Sequence, residues 1–419
     1  MLNEDRSLEI DRALNAVLSK RRLQAAFQPI VDLESGDLVG FEGLIRGPAG
    51  SLLQSVDDLL AAAYRADRIV ELDWLARSSL CRAALESNLS PDALLFLNIE
   101  PLALDSVCPP ELWADIKQAF RTFPVVLEVT ERSLERDPAS LLDGLDRLRH
   151  HVEGFALDDV GSNPMTLSLL PLVAPTVIKL DLNVIQDHPT RHVTQVLDLA
   201  YEEAERTGAT LMAEGIETAA HLATARSYGA ILGQGFLFGE PGPLPPEVRP
   251  RRAFAPPQVR TPATVSLPFD ALRDGATARA SAPLLAALSE RLEACAIEPP
   301  GILVTYFPSP QLFGASERAR FSDFAQRGFI TAVLGPGIPS DPGGGIRGSV
   351  PGPNNELAGQ WAAVFLSPGS AGAMLARPAN DGSTDYEFAV THNRQQVIAA
   401  ARCLLRLVRP MAPPTAAEP

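Results

Sequence analysis

A closed (β/α)8 barrel of the TIM type, opened by an N-terminal hairpin and followed by a second, smaller α/β domain, is the architecture expected of these 419 residues. Three observations point there. Short apolar runs alternate with helical spacings over the first ~240 residues, as repeated strand–helix units do. Counting both strands of the hairpin, the runs number eight, which is what a barrel closes with. Polar residues stand at or near the ends of those runs: Glu42, Asn98, Glu128, Asp158, Lys179, Glu214 and Gln234. A doubly wound sheet shares the alternation, but a barrel gathers its strand ends at one rim, which suits seven such residues better.

Residues 3–20 space Leu8, Ile10, Leu14, Val17 and Leu18 helically. Ala25 to Val31 and Leu38 to Leu44 are apolar runs joined by Asp32-Leu33-Glu34-Ser35-Gly36-Asp37, a hairpin pattern. Helical patterns at about 56–64, 68–87, 110–121, 138–151, 190–207 and 217–227 then separate runs at 93–99, 124–129, 154–158, 176–181, 209–213 and 230–236. The run from Gly154 to Leu157 feeds into Asp158, Asp159, Val160 and Gly161, a buried strand delivering an acidic pair into a turn. Adjacent carboxylates repel, and successive strand residues face opposite ways, so both aim at one place only where the backbone turns. Such a pair is either a solvated turn or a site whose repulsion a divalent cation offsets.

Pro241, Pro243, Pro245, Pro246, Pro250, Pro256, Pro257, Pro262 and Pro268 then break the alternation, since none can donate to a ladder. The expected division is a barrel over 1–245, a Pro-rich linker over 246–269, a second domain over 270–408 and a disordered tail over 409–419. The second domain should hold a helix over 279–296, a strand from Gly301 to Phe307 and a helix over about 311–326. Strands follow near 328–334, 360–366, 371–376 and 385–391, then a last helix to about 408 capped by Thr391 or Asn393. The Gly-rich stretch 335–345 lacks a following Lys-Ser/Thr and reads as a flexible surface loop, not a phosphate cradle. His188 and His192 are four apart, but Pro189 between them spoils a helical metal pair.

Composition narrows the function. Hydrophobic residues at 46% and charged residues at 21% are ordinary for a globular chain. A net charge of −15 with a pI near 4.9 argues against broad surfaces for DNA or RNA. The four cysteines, Cys81, Cys108, Cys295 and Cys403, have no C-x-x-C spacing, so buried thiols in a reducing compartment are expected instead of zinc or disulfides. An acidic N-terminus and no apolar run long enough to span a bilayer lead to the expectation of a soluble, cytoplasmic protein with no membrane span.

Eight short motifs resemble those of the EAL-domain phosphodiesterases, which cut the bacterial messenger cyclic di-GMP. They are Gln28-Pro29-Ile30-Val31, Gly40-Phe41-Glu42-Gly43-Leu44-Ile45-Arg46, Leu97-Asn98-Ile99, Leu127-Glu128-Val129-Thr130-Glu131, Asp158-Asp159-Val160-Gly161, Lys179-Leu180-Asp181, Ala213-Glu214-Gly215-Ile216-Glu217-Thr218 and Gln234-Gly235-Phe236. They stand in family order over about residues 10–245, with Lys179 21 residues after Asp158. The resemblance implies metal-dependent hydrolysis of cyclic di-GMP to linear pGpG by a homodimer. By the same resemblance, Glu42, Asn98, Glu128 and Asp158 hold one Mg²⁺ or Mn²⁺, Asp158 and Asp159 hold a second, and Ca²⁺ inhibits. Lys179 and Glu214 stand beside the attacking water as point charge and proton acceptor. Gln28 and Arg46 contact guanine and phosphate, Leu44 and Gln234 complete the substrate-facing set, and Glu217, Asp181 and Glu131 support it.

The chain departs from the family pattern in two places. Glu42-Gly43-Leu44 replaces Glu-Ala-Leu, which changes one methyl group. The loop Asp158 to Thr166 keeps its length but lacks an aromatic residue, a second glycine and two serines. A catalytically weak or silent cyclic di-GMP receptor acting through protein contacts is therefore the alternative reading. The second domain resembles the DICT sensory module through Phe321-Ser322-Asp323-Phe324-Ala325, Ile346-Arg347-Gly348, Leu357-Ala358-Gly359-Gln360-Trp361 and Val390-Thr391-His392-Asn393-Arg394. That implies regulation by an unidentified signal, against the alternative of a packing or dimerisation domain.

Overall fold

The computed structural model describes residues 2–410 except 105, 131–135, 164, 187–189, 246–253, 260, 274, 296–299 and 350–356. Glu131, Pro164, Pro189 and the tail from 411 onward thus lie outside the described residues.

Eight strands close the barrel in chain order: β1 Gln24–Asp32, β2 Leu38–Arg46, β3 Leu94–Asn98, β4 Val125–Val129, β5 Gly154–Val160, β6 Val177–Leu180, β7 Thr210–Ala213 and β8 Leu232–Gln234. The eight apolar runs of the sequence are these strands. One runs against the others. β1 is antiparallel to both β2 and β8, while β2 through β8 are parallel, so the hairpin is part of the barrel wall. Its register sets Gln28 opposite Glu42 and Ile30 opposite Gln234, and on the parallel side Asn98 stands opposite Glu128. Inside, Ile30, Val39, Leu94, Phe96, Val126, Ala156, Val177, Met212 and Leu232 make one buried cluster, with Phe254 packed against it.

The connecting helices are α1 Leu2–Lys20, α2 Val56–Arg65, α3 Ile69–Glu86, α4 Pro101–Leu104, α5 Pro110–Thr122, α6 Pro138–Leu148, α7 Thr166–Val173, α8 Leu182–Gln186, α9 Arg191–Thr207 and α10 Ala219–Ser227. Local chemistry sets their ends. Ser55, Thr190 and Thr218 each accept a first-turn N–H, and Gly208 ends α9 at φ 86. Sequence spacing does not anticipate α4, α7 or α8. Two are shorter than two turns, and α7 is buried at every position, so it carries no polar face to create a period.

By contacts the chain divides into two units, 1–130 with 144–162 and 175–259, and 131–143 with 163–174 and 260–419. The second unit holds a six-stranded sheet in the order β11-β10-β12-β13-β14-β9. Its strands are β9 Ala278–Ala280, β10 Gly301–Tyr306, β11 Phe329–Leu334, β12 Trp361–Leu366, β13 Ala371–Pro378 and β14 Tyr386–Thr391. Three helices accompany them, α11 Ala282–Glu293, α12 Ala315–Gln326 and α13 Arg394–Leu405. Asn393 caps α13 by accepting from the N–H groups of Gln395 and Gln396.

One expectation for this unit needs correction. The helix expected from 279 begins at Ala282, because Ser281 and Pro283 mark a helix start and residues 278–280 pair with β14 instead. The Gly-rich stretch 335–345 is a turn-rich loop, exposed at Gly337, Gly343, Gly344 and Gly345. Arg347 donates its N–H to the Thr331 carbonyl and accepts from Val333 N, so the chain there runs along β11. Cys81 and Cys403 are buried, Cys108 and Cys295 half-buried, and all four are free thiols. Among the described residues no helix is long and apolar enough to cross a membrane.

The helix α13 is buried from Val397 through Leu405, including Arg402, whose guanidinium donates to the Leu172 carbonyl on α7. Replacing Arg402 by Ala removes that donor and leaves a void, so unfolding by urea should show a loss of about 3 kcal/mol. An unchanged midpoint would mean that the buried guanidinium adds nothing to stability.

Candidate active site

Six polar side chains converge in unit 1, Glu42 from the middle of β2, four from at or near the ends of β4, β5, β6 and β8, and Glu214 from just past β7. At the centre is Lys179, fully buried near the end of β6. Its Nζ lies 2.7 Å from Glu128 Oε1, 2.7 Å from Asp158 Oδ1, 2.8 Å from Glu214 Oε1 and 3.4 Å from Glu42 Oε2. Four carboxylates thus surround one ammonium.

A second set of contacts ties Glu42 to the neighbouring strands. Gln234 Nε2 donates to Glu42 Oε2 at 2.6 Å and to Gln28 Oε1 at 2.7 Å. Gln28 Nε2 in turn donates to the Gly239 carbonyl at 3.2 Å. Asn98 Nδ2 reaches Glu42 Oε1 at 3.4 Å. The antiparallel register of β1 with β2 sets Gln28 opposite Glu42.

The acidic pair is delivered by an irregularity in the β5–β6 ladder between Leu157 and Val160. Asp159 sits in the left-handed region at φ 54, so two successive side chains leave the alternation of a strand. Gly161 follows at φ 112, and a Cβ there would meet Val184 Cγ2 at 2.4 Å, so only glycine completes the turn. A ring nitrogen of His192 hydrogen-bonds the Gly161 carbonyl at 3.1 Å, a contact that the spacing of the two histidines did not reveal. Oxygens of Asp158, Asp159 and Glu214 lie within 4.8 Å of one another.

Burial and crowding set the charges. Burial alone would neutralise Lys179, yet Asp158, Glu128, Glu214 and Glu42 together hold its pKa well above the usual lysine range. Glu128 is pushed well above the carboxylate range by burial, with Glu42 adding to the effect. Burial raises Asp158 as well, and Glu214 is pushed up to about 8. Glu42 alone is lowered, because Lys179 and the Gln234 amide outweigh its burial. The protein therefore holds more acid than its one base can neutralise. Glu128 Oε2 finds no donor among the described residues. A hard divalent cation fits this donor set, which is carboxylate and amide oxygen throughout.

The other expected site residues make local contacts of their own. Arg46 is half-buried and donates to its neighbour Ile45's carbonyl at 2.8 Å; Leu44 is half-buried beside it. Asp181 accepts from Asn183 at the start of α8, through both backbone and side chain. Glu217 is exposed, and its backbone N–H meets His221 Nδ1 at 3.3 Å.

Comparisons with known proteins match the part of the chain that carries this cluster. A family model described as the EAL domain matches residues 10–241. The chain is 28% identical over 236 residues to the probable cyclic di-GMP phosphodiesterase PdeB of Escherichia coli K12, covering 54% of this chain and 44% of that protein. It is 29% identical over 231 residues to the cyclic di-GMP phosphodiesterase RocR of Pseudomonas aeruginosa PAO1, covering 54% and 59%. A solved structure of the Xanthomonas citri FimX EAL domain with cyclic di-GMP matches with a TM-score of 0.49 at 19% identity, over 58% of this chain and 97% of that one. The chain thus spans about half the length of these two relatives.

Glu214 yields a test that needs no substrate. A carboxyl whose folded pKa is raised favours the folded state while protonated. That contribution is complete below the ordinary value of 4.5 and is lost as pH rises through about 8. In chelator, the melting temperature of the wild type should fall across this window more steeply than that of Glu214→Gln. Saturating Mn²⁺ should remove the difference. Parallel curves in chelator would assign the titration to another group.

Proposed function

The chain belongs to the EAL domain family, and on that premise we propose that it hydrolyses cyclic di-GMP to linear pGpG with the help of divalent cations. The observation that carries this reading is the ring of Glu42, Glu128, Asp158 and Glu214 around the buried Lys179, with Asp159 and Asn98 alongside. A ligand of two phosphodiesters would be repelled by so many carboxylates unless cations reversed the local sign. Glu42, Asn98, Glu128 and Asp158 would hold one cation, and Asp158 with Asp159 a second. When bound, Mg²⁺ or Mn²⁺ supplies charge for the phosphodiester oxygens and makes water a stronger acid.

The chain's own groups do the remaining work. Glu214, with its carboxyl near neutrality, accepts the proton of the attacking water. Lys179 is held charged by its carboxylates and stabilises the negative charge that develops on that oxygen. The new bond joins the water oxygen to phosphorus, the bond from phosphorus to the ribose oxygen breaks to open the ring, and that oxygen takes up a proton from solvent to become a hydroxyl. Gln28, Leu44, Arg46 and Gln234 face the substrate in this reading, with Glu217, Asp181 and Glu131 in supporting roles.

We also propose that the second unit is a DICT-like sensory domain that regulates the site in a cytoplasmic homodimer. Chain connectivity supports the regulation. Residues 163–174 follow the Asp158–Asp159 turn directly and belong by contacts to the second unit. Whatever that unit binds can therefore act on the loop at 159–166.

Purified protein incubated with cyclic di-GMP and Mg²⁺ or Mn²⁺ should yield pGpG on chromatography. Binding without product in any metal would hand the case to the receptor reading. Glu214→Gln should lower turnover by ~10²-fold or more while substrate affinity changes little. If affinity collapses with rate, Glu214 is a ligand and not the base. Ca²⁺ should occupy the oxygen donors and inhibit, because its larger, looser coordination activates water poorly. Full activity in Ca²⁺ alone would count against the site.

A further inference from the structure

Behind β3, a buried charge fixes the backbone that carries Asn98. Asp73 on α3 is buried, and its Oδ1 accepts the backbone N–H of Glu100 at 2.9 Å. One turn later Arg77, also buried, pairs with the other carboxylate oxygen of Asp73. The Arg77 guanidinium stacks 3.9 Å over the Trp74 ring, which leaves it little freedom. From the other side, Ile99 N donates to the Glu128 carbonyl at 3.1 Å. The two residues after Asn98 are therefore each pinned by a backbone N–H, one to β4 and one to Asp73.

The chain needs such a pin here. Asn98 is the last residue of β3 and is exposed, its side chain held only by a long 3.4 Å hydrogen bond to Glu42 among the contacts described. Beyond it the chain leaves the ladder and turns into α4, where strand pairing no longer acts. A buried carboxylate that accepts an N–H fixes the backbone direction at this point more firmly than a neutral acceptor does. An i, i+4 pair on a helix is ordinarily a weak surface feature; a buried pair aimed at a loop N–H is a positioning device.

We propose that Asp73, held by Arg77, is a positioning residue for Asn98 and so sets the affinity of the site for its divalent cation. This rests on the reading of Asn98 as a cation ligand. Loss of an outer partner of a metal ligand lowers affinity by ~10–100-fold, and that is the expected size of the effect.

The test measures Mn²⁺ binding to the full-length protein by calorimetry, with melting temperature followed in parallel. Asp73→Ala should weaken Mn²⁺ by ~10-fold or more. Asp73→Asn keeps an acceptor for Glu100 and should recover part of the loss. Because either change strands the Arg77 charge and could prevent folding, the double change Asp73→Ala with Arg77→Met removes both charges together. It should fold and still bind Mn²⁺ weakly. Added to Asn98→Ala, the double change should cause no further loss, since Asp73 acts through Asn98. Wild-type Mn²⁺ affinity in a folded Asp73 variant would overturn the inference alone, as would a loss that adds to that of Asn98→Ala. A wild type that takes up no Mn²⁺ would overturn the functional reading, and this inference with it.

Discussion

One buried ammonium holds the site together. Without Lys179, Glu42, Glu128, Asp158 and Glu214 would be four acids drawn into a space with no counter-charge, and burial would protonate most of them. With it, Glu42 is held ionised, beside an oxygen of Glu128 that no donor reaches among the described residues. The arrangement is a compromise: the lysine stays charged because the carboxylates are close, and three of those carboxylates are raised because one lysine is too few. Surplus acid of this kind is poor for stability and good for holding cations.

The barrel wall supplies the geometry that such a cluster demands. Parallel strands bring Glu128, Asp158, Lys179 and Glu214 to one rim from successive positions. The antiparallel β1 then adds an amide from the opposite chain direction, so Gln28 holds the Gln234 amide that braces Glu42. The β5 turn does what no regular strand can, presenting two consecutive carboxylates, and Gly161 absorbs the cost in backbone conformation. Each device fixes a carboxylate that would otherwise swing away from its neighbours.

The second unit is interleaved with the barrel's chain and does not simply follow it. Segments 131–143 and 163–174 lie between barrel strands in sequence yet belong by contacts with residues 260–419. In that unit α7 is buried along its whole length and α13 along nearly all of its own, with Arg402 donating to Leu172. An apolar helix with no polar face can exist only where it is covered on all sides.

The eight strands and the identity of the central acids were legible in the amino-acid order, because apolar runs and helical spacing are local signals and the polar residues at the run ends stand out against them. Glu42, Asn98, Glu128, Asp158, Lys179, Glu214 and Gln234 could all be named that way. Other features could not, because they depend on direction and coverage. The reversal of β1, the bracing of Glu42 by Gln234, the engagement of Asp181 with Asn183 and the membership of α7 in the second unit leave no periodic trace. Asp73 and Arg77 look in sequence like an ordinary surface pair, four apart on a helix. Only packing decides that they are buried and that one faces the N–H of Glu100, since a residue's depth is set by what the rest of the chain lays over it.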